Sequence, residues 1–227
     1  MNVKLISYSK PSKEIISEGL YDVQELIAYC ARVSNPANQL NTETSEKLIK
    51  YLVKHQHWSP LEMVSACLEI ETTRDIARQI LRHRSFSFQE YSQRYADPTK
   101  DLEFVLREAR MQDPKNRQNS VVLDLDNEDN RYIAVEWRRQ QEYVISAAKN
   151  AYTWAVNAGI AKEQARAVLP EGNTVSRMYM NGTLRSWIHY IQLRASNGTQ
   201  QEHIDVALEC AKVMTEVFPL TQQLTQQ

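Results

Sequence analysis

Residues Val3 to Tyr8 alternate apolar with polar side chains, the period of a strand, and predict that the chain opens on one. Val23, Leu26, Ile27 and Cys30 then recur at i, i+3, i+4 and i+7, the stripe of an amphipathic helix. A second helix is expected over Glu43 to His55, with Leu48, Tyr51 and Leu52 inward, and Pro60 marks the loop after it. From Met63 to Glu71 the alternation is clean. Val64, Ala66, Leu68 and Ile70 fall on one face and Ser65, Cys67, Glu69 and Glu71 on the other, which predicts a half-buried strand. Thr72-Thr73 offers an N-cap to a short helix through Leu81.

The pattern breaks from Asp97 to Asn130. Nine carboxylates stand there against five Lys and Arg, with Pro98 and Pro114, so an irregular surface excursion is expected. A long helix follows from about Arg131 to Ala158, with Ile133, Trp137, Val144, Ala148, Ala151 and Ala155 as its stripe and Gly159 just past its end. A brief helix, Lys162 to Val168, stops before Pro170; Thr174 to Met180 suits a strand. Thr183 to Arg194 is expected to be helical with Leu184, Trp187, Ile188 and Ile191 inward. Thr199 and Glu202 have capping-box spacing before a last helix whose stripe is Ile204, Leu208, Ala211 and Phe218. Helices dominate, so the class is α+β, or mostly α with a small sheet.

Composition narrows the picture. A chain of 227 residues, 42% hydrophobic and 24% charged, fits one globular domain over 1–227. A net charge of −1 argues against a general nucleic-acid binder, though not against a local basic patch. Cys30, Cys67 and Cys210 are odd in number and far apart, which points to a reducing, cytoplasmic setting rather than a disulfide framework. No apolar leader or run of membrane-spanning length is seen, so no membrane partner is expected. The sequons at Asn181 and Asn197 carry little weight without a leader.

The densest polar cluster runs from Arg82-His83-Arg84 through Glu90-Tyr91-Ser92-Gln93-Arg94, with Arg74 and Arg78 upstream. Arginine suits phosphate because its planar fork donates paired hydrogen bonds and keeps its charge. If the tail of the cluster is extended, Glu90, Ser92 and Arg94 share a face: a hydroxyl and a guanidinium for one phosphate, and a carboxylate for a ribose hydroxyl or an amide. The interleaved Phe86, Phe88 and Tyr91 also allow single-stranded RNA to stack there, a reading the acidic stretch after the cluster opposes. His55, His57 and Glu62 lack a third histidine nearby, so no metal site is expected. Arg185, His189 and Gln192 share one helical face, while Arg194 falls nearer Trp187 and Ile191.

Arg82-His83-Arg84, seven residues and then Ser92 resemble the RHR-x7-S signature of the flavin-dependent thymidylate synthases. Four further blocks resemble that family in the same order: Cys30-Ala31-Arg32-Val33-Ser34, His57-Trp58-Ser59-Pro60-Leu61-Glu62, Glu163 through Pro170, and Thr183-Leu184-Arg185 through Leu193-Arg194. Together they span most of the chain. The resemblance implies a small central α/β portion with a mostly antiparallel sheet flanked by helices. It implies reductive methylation of dUMP to dTMP, with methylenetetrahydrofolate as one-carbon donor, FAD as hydride carrier and NADPH as reductant. It also implies a homotetramer with its sites at subunit interfaces.

The same resemblance assigns Ser59, Arg82, His83, Arg84, Glu90, Thr183, Leu184, Arg185 and His189 to FAD, with His57 and Ser34 as further neighbours. To dUMP it assigns Gln79, Ile80, Leu81, Arg82, Glu90, Tyr91, Ser92, Gln93, Arg94, Arg166 and Arg194. Arg194 is expected against the uracil, activating the ring without a cysteine nucleophile. Gln89 stands where asparagine is common in the family, and Thr183 and His189 stand where some members have asparagine, polar for polar.

Overall fold

The computed structural model describes residues 1–196, 198–221 and 223; Asn197, first residue of the second sequon, lies outside them. The chain opens with β1 (Asn2–Tyr8), α1 (Lys13–Ser17), α2 (Val23–Ala31) and α3 (Ser45–Lys54). After a 3-10 turn at Ser59–Glu62 come β2 (Ser65–Thr73), α4 (Arg74–Ile80) and β3 (Phe86–Glu90). The acidic excursion holds α5 (Pro98–Asp101) and a hairpin of β4 (Arg110–Gln112) and β5 (Ser120–Val122). Then follow α6 (Glu128–Asn157), α7 (Lys162–Ala165), β6 (Val175–Thr183), α8 (Leu184–Arg194) and α9 (Gln201–Val217).

The main sheet has the order β1-β2-β6-β3, and each neighbouring pair is antiparallel. This is the helix-rich α+β class expected from the sequence. Leu68, Ile70, Met178 and Met180 of the sheet and Ile27, Ile49, Ile76, Trp187, Ile188 and Val206 of the helices share one buried core. Glu69, on the expected polar face of β2, is nevertheless only 5% exposed. Lys4 lies 2.8 Å away across β1, and its hydrogen bond holds the Glu69 carboxyl below its usual range.

Local signals explain most boundaries. Asp22 caps α2 and Glu25 returns the bond, a capping box the apolar stripe alone did not reveal. Asn127 starts α6 earlier than expected by accepting from the amides of Asp129 and Asn130. Thr73 does sit at the N-cap of α4, but its hydroxyl donates to Asp75 rather than capping an amide.

Four expectations change. α3 turns Ile49, Leu52 and Val53 inward and leaves Tyr51 exposed. The stripe of α6 is half in solvent: Ala148 and Ala155 are buried, whereas Ile133, Trp137 and Val144 are not. In α9 the N-cap is Gln200, the Thr199 capping box does not form, and Leu208 is exposed while His203, Val206, Cys210 and Met214 face the core. The excursion is structured and strapped down. Gln141 exchanges two hydrogen bonds with the Arg107 backbone, at 2.8 and 2.9 Å, and Arg110 pairs with Glu202.

The alternation also missed β3. Phe86 sits opposite Gly182 in the ladder, and a Cβ at Gly182 would lie 2.4 Å from the Phe86 ring. Only glycine leaves room for that ring over β6, so this contact sets where the Arg82–Ser85 turn meets α8.

Candidate functional site

The turn after α4 carries Arg82, His83 and Arg84 to the start of β3. Arg194, in the last turn of α8, donates its Nε–H to His83 Nε2 at 2.9 Å. A guanidinium cannot accept, so His83 carries its proton on Nδ1. Burial first, then the Arg194 charge, lowers the His83 pKa to about 4, and the ring is neutral at neutral pH. Its face is fixed by Tyr190, edge-on at 4.9 Å. Arg82 and Arg84 are exposed, and their guanidinium groups make no hydrogen bond or ion pair among the described residues. The terminal nitrogens of Arg194 are likewise without a partner there.

Neighbouring elements bring the expected flavin residues to this turn. Ser186 donates to the Ser85 carbonyl at 3.3 Å, and Thr183 caps α8 by accepting from the Ser186 amide. Arg185 pairs with Glu62, and His189 meets Trp58 edge-on at 4.4 Å, which docks the Ser59–Glu62 turn against α8. Ser59, Thr183, Arg185 and His189 therefore line one neighbourhood with Arg82 to Arg84. His57 is exposed and faces the rings of His55 and Tyr51; Ser34 borders a different cleft, beside Arg32 and Asn35.

A second cluster lies at the far end of β3. Glu90 Oε1 accepts from Ser176 at 2.7 Å and faces Arg74 at 3.6 Å, leaving Oε2 free of protein partners among the described residues. Arg94 pairs with the Glu163 carboxylate at 3.2 Å, and Arg166 donates to the Glu163 backbone carbonyl at 3.3 Å. Tyr91 donates to Asp101 at 2.9 Å, and burial and that carboxylate push its pKa well up. Gln93 is buried and its Nε2 has no hydrogen-bond partner among the described residues. The expected extended face of Glu90, Ser92 and Arg94 does not form. The strand ends at Glu90, and Ser92 instead turns the chain by accepting from the Arg94 amide at 3.4 Å.

The residues expected to hold dUMP are thus split. Gln79, Leu81, Arg82 and Arg194 stand at one end of β3, and Glu90 to Arg94 with Arg166 at the other. Five strand residues separate the ends by roughly 13 Å. Ile80 and Leu184 are core residues, 0% and 2% exposed, so they can offer a ligand backbone only. Tyr190, Gln200, Glu202 and His203 border the first cluster and were not singled out as site residues from the sequence. His203 shares the apolar stripe of α9 with Val206 and Cys210, and a lone histidine in such a stripe was the available signal. Unpaired arginines and a stranded amide donor fit anionic, carbonyl-bearing ligands such as FAD and dUMP. Two clefts, of about 710 and 940 Å³, open between the excursion and the start of α9, beside the Glu202 border of this cluster, and both touch Arg110, Gln201 and Glu202. Among the described residues, no group of His, Cys, Asp and Glu could hold a metal ion, and no helix is long and apolar enough to cross a membrane.

Residues 16–220 match the family model of the thymidylate synthase complementing protein. The chain is 49% identical over 219 residues to a protein of Paramecium bursaria Chlorella virus 1 named "Probable flavin-dependent thymidylate synthase", covering 96% of each chain. It is 48% identical, again with 96% of each covered, to the flavin-dependent thymidylate synthase of Synechocystis. Among solved structures it resembles the UMP/dUMP methylase PolB of Streptomyces cacaoi, crystallised with 5-Br dUMP. The TM-score is 0.77 at 24% identity, over 98% of this chain and 93% of that one, which extends the likeness to the fold.

Proposed function

This chain belongs to the flavin-dependent thymidylate synthases, the family of the thymidylate synthase complementing protein, and from that premise we propose how its residues divide the reaction. The enzyme methylates dUMP to dTMP and depends on FAD. Methylenetetrahydrofolate supplies the carbon and NADPH the reducing equivalents. FAD, when bound, supplies the hydride carrier. The whole chain, 1–227, acts as one catalytic domain.

Arg82 and Arg84 neutralise the phosphates of FAD. His83, Ser59, Thr183, Arg185 and His189 supply directed polar contacts to the same cofactor, the backbone at Leu184 joins them, and Glu90 contributes its free Oε2. Arg94, Ser92 and Arg166 hold the dUMP phosphate, while Gln79, the Ile80–Leu81 backbone, Arg82, Tyr91 and Gln93 position the nucleotide. The observation that carries this reading is the Arg194–His83 pair. The neutral imidazole accepts the Arg194 Nε–H and leaves the two terminal nitrogens as a fork for a ligand. A fork beside a uracil N3 and its flanking carbonyl stabilises negative charge on the ring, which makes C5 nucleophilic. Such preorganised donors stabilise developing charge without reorganising during the reaction.

One nucleotide does not bridge the two ends of β3 in a single chain, so each site is completed by another copy. The exposed face of α6 supports association: Tyr132, Val135, Tyr143 and Trp154 are each at least 67% exposed along one helix. Assembly of four copies would give every arginine cluster a partner. The three free cysteines fit a cytoplasmic location.

Arg94→Ala tests the phosphate assignment. Loss of a charge-assisted hydrogen bond should raise the dUMP requirement about 10-fold or more and leave flavin content unchanged. Unchanged dUMP affinity contradicts it.

A further inference from the structure

A line of hydrogen bonds runs outward from beside the Arg194–His83 pair through α8, α9 and α4. The Tyr190 hydroxyl lies 3.1 Å from His203 Nε2, and His203 Nδ1 lies 3.2 Å from Gln79 Oε1. Gln79 Nε2 donates to Gln200 Oε1 at 2.9 Å, and Gln200 Nε2 donates to Glu202 Oε2 at 2.9 Å. Arg110 closes the line on the other Glu202 oxygen. Tyr190 and His203 are 1% and 0% exposed, so water cannot substitute for a missing partner.

The line has only one consistent direction. A carboxylate paired with arginine accepts and never donates. Gln200 must therefore show Glu202 its NH₂ and turn its oxygen to Gln79. Gln79 must show its NH₂ to Gln200 and its oxygen to His203. His203 must then carry its proton on Nδ1 and accept the Tyr190 O–H at Nε2.

We propose that Glu202, acting through Gln200 together with His203, is a positioning residue that fixes which way the Gln79 amide faces. Gln79 then keeps one Nε2–H free on its Gln200 side, a donor for an oxygen of the substrate. This rests on the reading that Gln79 touches dUMP. Burial first, then the Arg194 charge, lowers the His203 pKa to about 3, so the neutral ring persists across the working pH range. Tyr190 also packs edge-on against His83, so the inner end of the line meets the Arg194–His83 pair.

Glu202→Gln tests the direction. Its new amide oxygen must face Arg110 and its NH₂ must face Gln200, which reverses every bond and moves the His203 proton to Nε2. Solid-state ¹⁵N spectra of histidine-labelled enzyme distinguish the two tautomers. The expected result is Nδ1–H in the parent and Nε2–H in E202Q; the same tautomer in both overturns the proposal. Steady-state kinetics give the second readout. His203→Phe should raise the dUMP KM roughly 3- to 10-fold, the worth of one neutral hydrogen bond, with kcat held within about twofold. His203→Asn, which restores a donor toward Gln79, should recover most of it. Gln79→Leu separates the premises. If it raises the dUMP KM while H203F does not, the relay fails and Gln79 still binds substrate. If Q79L leaves KM unchanged, the Gln79 assignment fails, and the tautomer exchange alone decides the relay.

Discussion

Arg194→Ala is expected to lower turnover by about 100- to 1,000-fold, the cost of removing one preorganised donor from developing negative charge. Flavin content should change little. The proposed phosphate contacts lie on Arg82 and Arg84, and neither uses Arg194 as a partner. The variant also frees His83 Nε2, but the ring remains seated against Tyr190. Visible absorbance of the purified variant reports the flavin, and tritium release from dUMP labelled at C5 reports turnover. Equal loss of both would mean that Arg194 serves the cofactor and not the pyrimidine.

Trp187→Ala should cost about 3–5 kcal/mol of stability, the range for removing a large buried aromatic side chain. Trp187 is fully buried and donates its Nε1–H to the Ala66 carbonyl at 3.0 Å. Its ring meets Phe86 edge-on at 4.9 Å. The substitution opens a void, removes the hydrogen bond to the Ala66 carbonyl, and loosens α8 from the strand that follows the Arg82–Ser85 turn. A denaturant titration should show the midpoint falling together with flavin retention. A loss below about 1 kcal/mol would show that the core repacks and that the α8–β3 contact does not hold the site in place.

The elements with a strong period were legible: β2 from its alternation, α8 from Leu184, Trp187, Ile188 and Ile191. What escaped was set by tertiary contact. β3 is only five residues of mixed polarity, and its pairing depends on Gly182 accepting the Phe86 ring, a long-range fit no window of sequence contains. The hairpin within the acidic excursion is held by Gln141 and Glu202 from distant helices. α6 appeared to have a buried stripe because periodicity reports an apolar face, not what covers it; much of that face is exposed in the single chain.

The site was legible as a set of residues and not as an arrangement. Spacing singled out Arg82, His83, Arg84 and Ser92, and the resemblance extended the set to Arg166 and Arg194. Neither showed that Arg94 and Arg194 stand at opposite ends of one strand, because that depends on where β3 stops and Ser92 turns the chain. Ile80 and Leu184 lie within site motifs but belong to the core, since helix periodicity buries every third or fourth residue whatever its neighbours do.

The central claim is that one reaction site takes Arg194 from one copy of the chain and Arg94 from another. Co-expression of differently tagged Arg94→Ala and Arg194→Ala chains, with isolation of assemblies carrying both tags, tests it directly. Each variant alone should be nearly inactive in tritium release. The mixed assembly should regain activity, because it contains sites in which both arginines are native. Mixed assemblies as inactive as either parent would place both arginines of a site on the same chain and contradict the account.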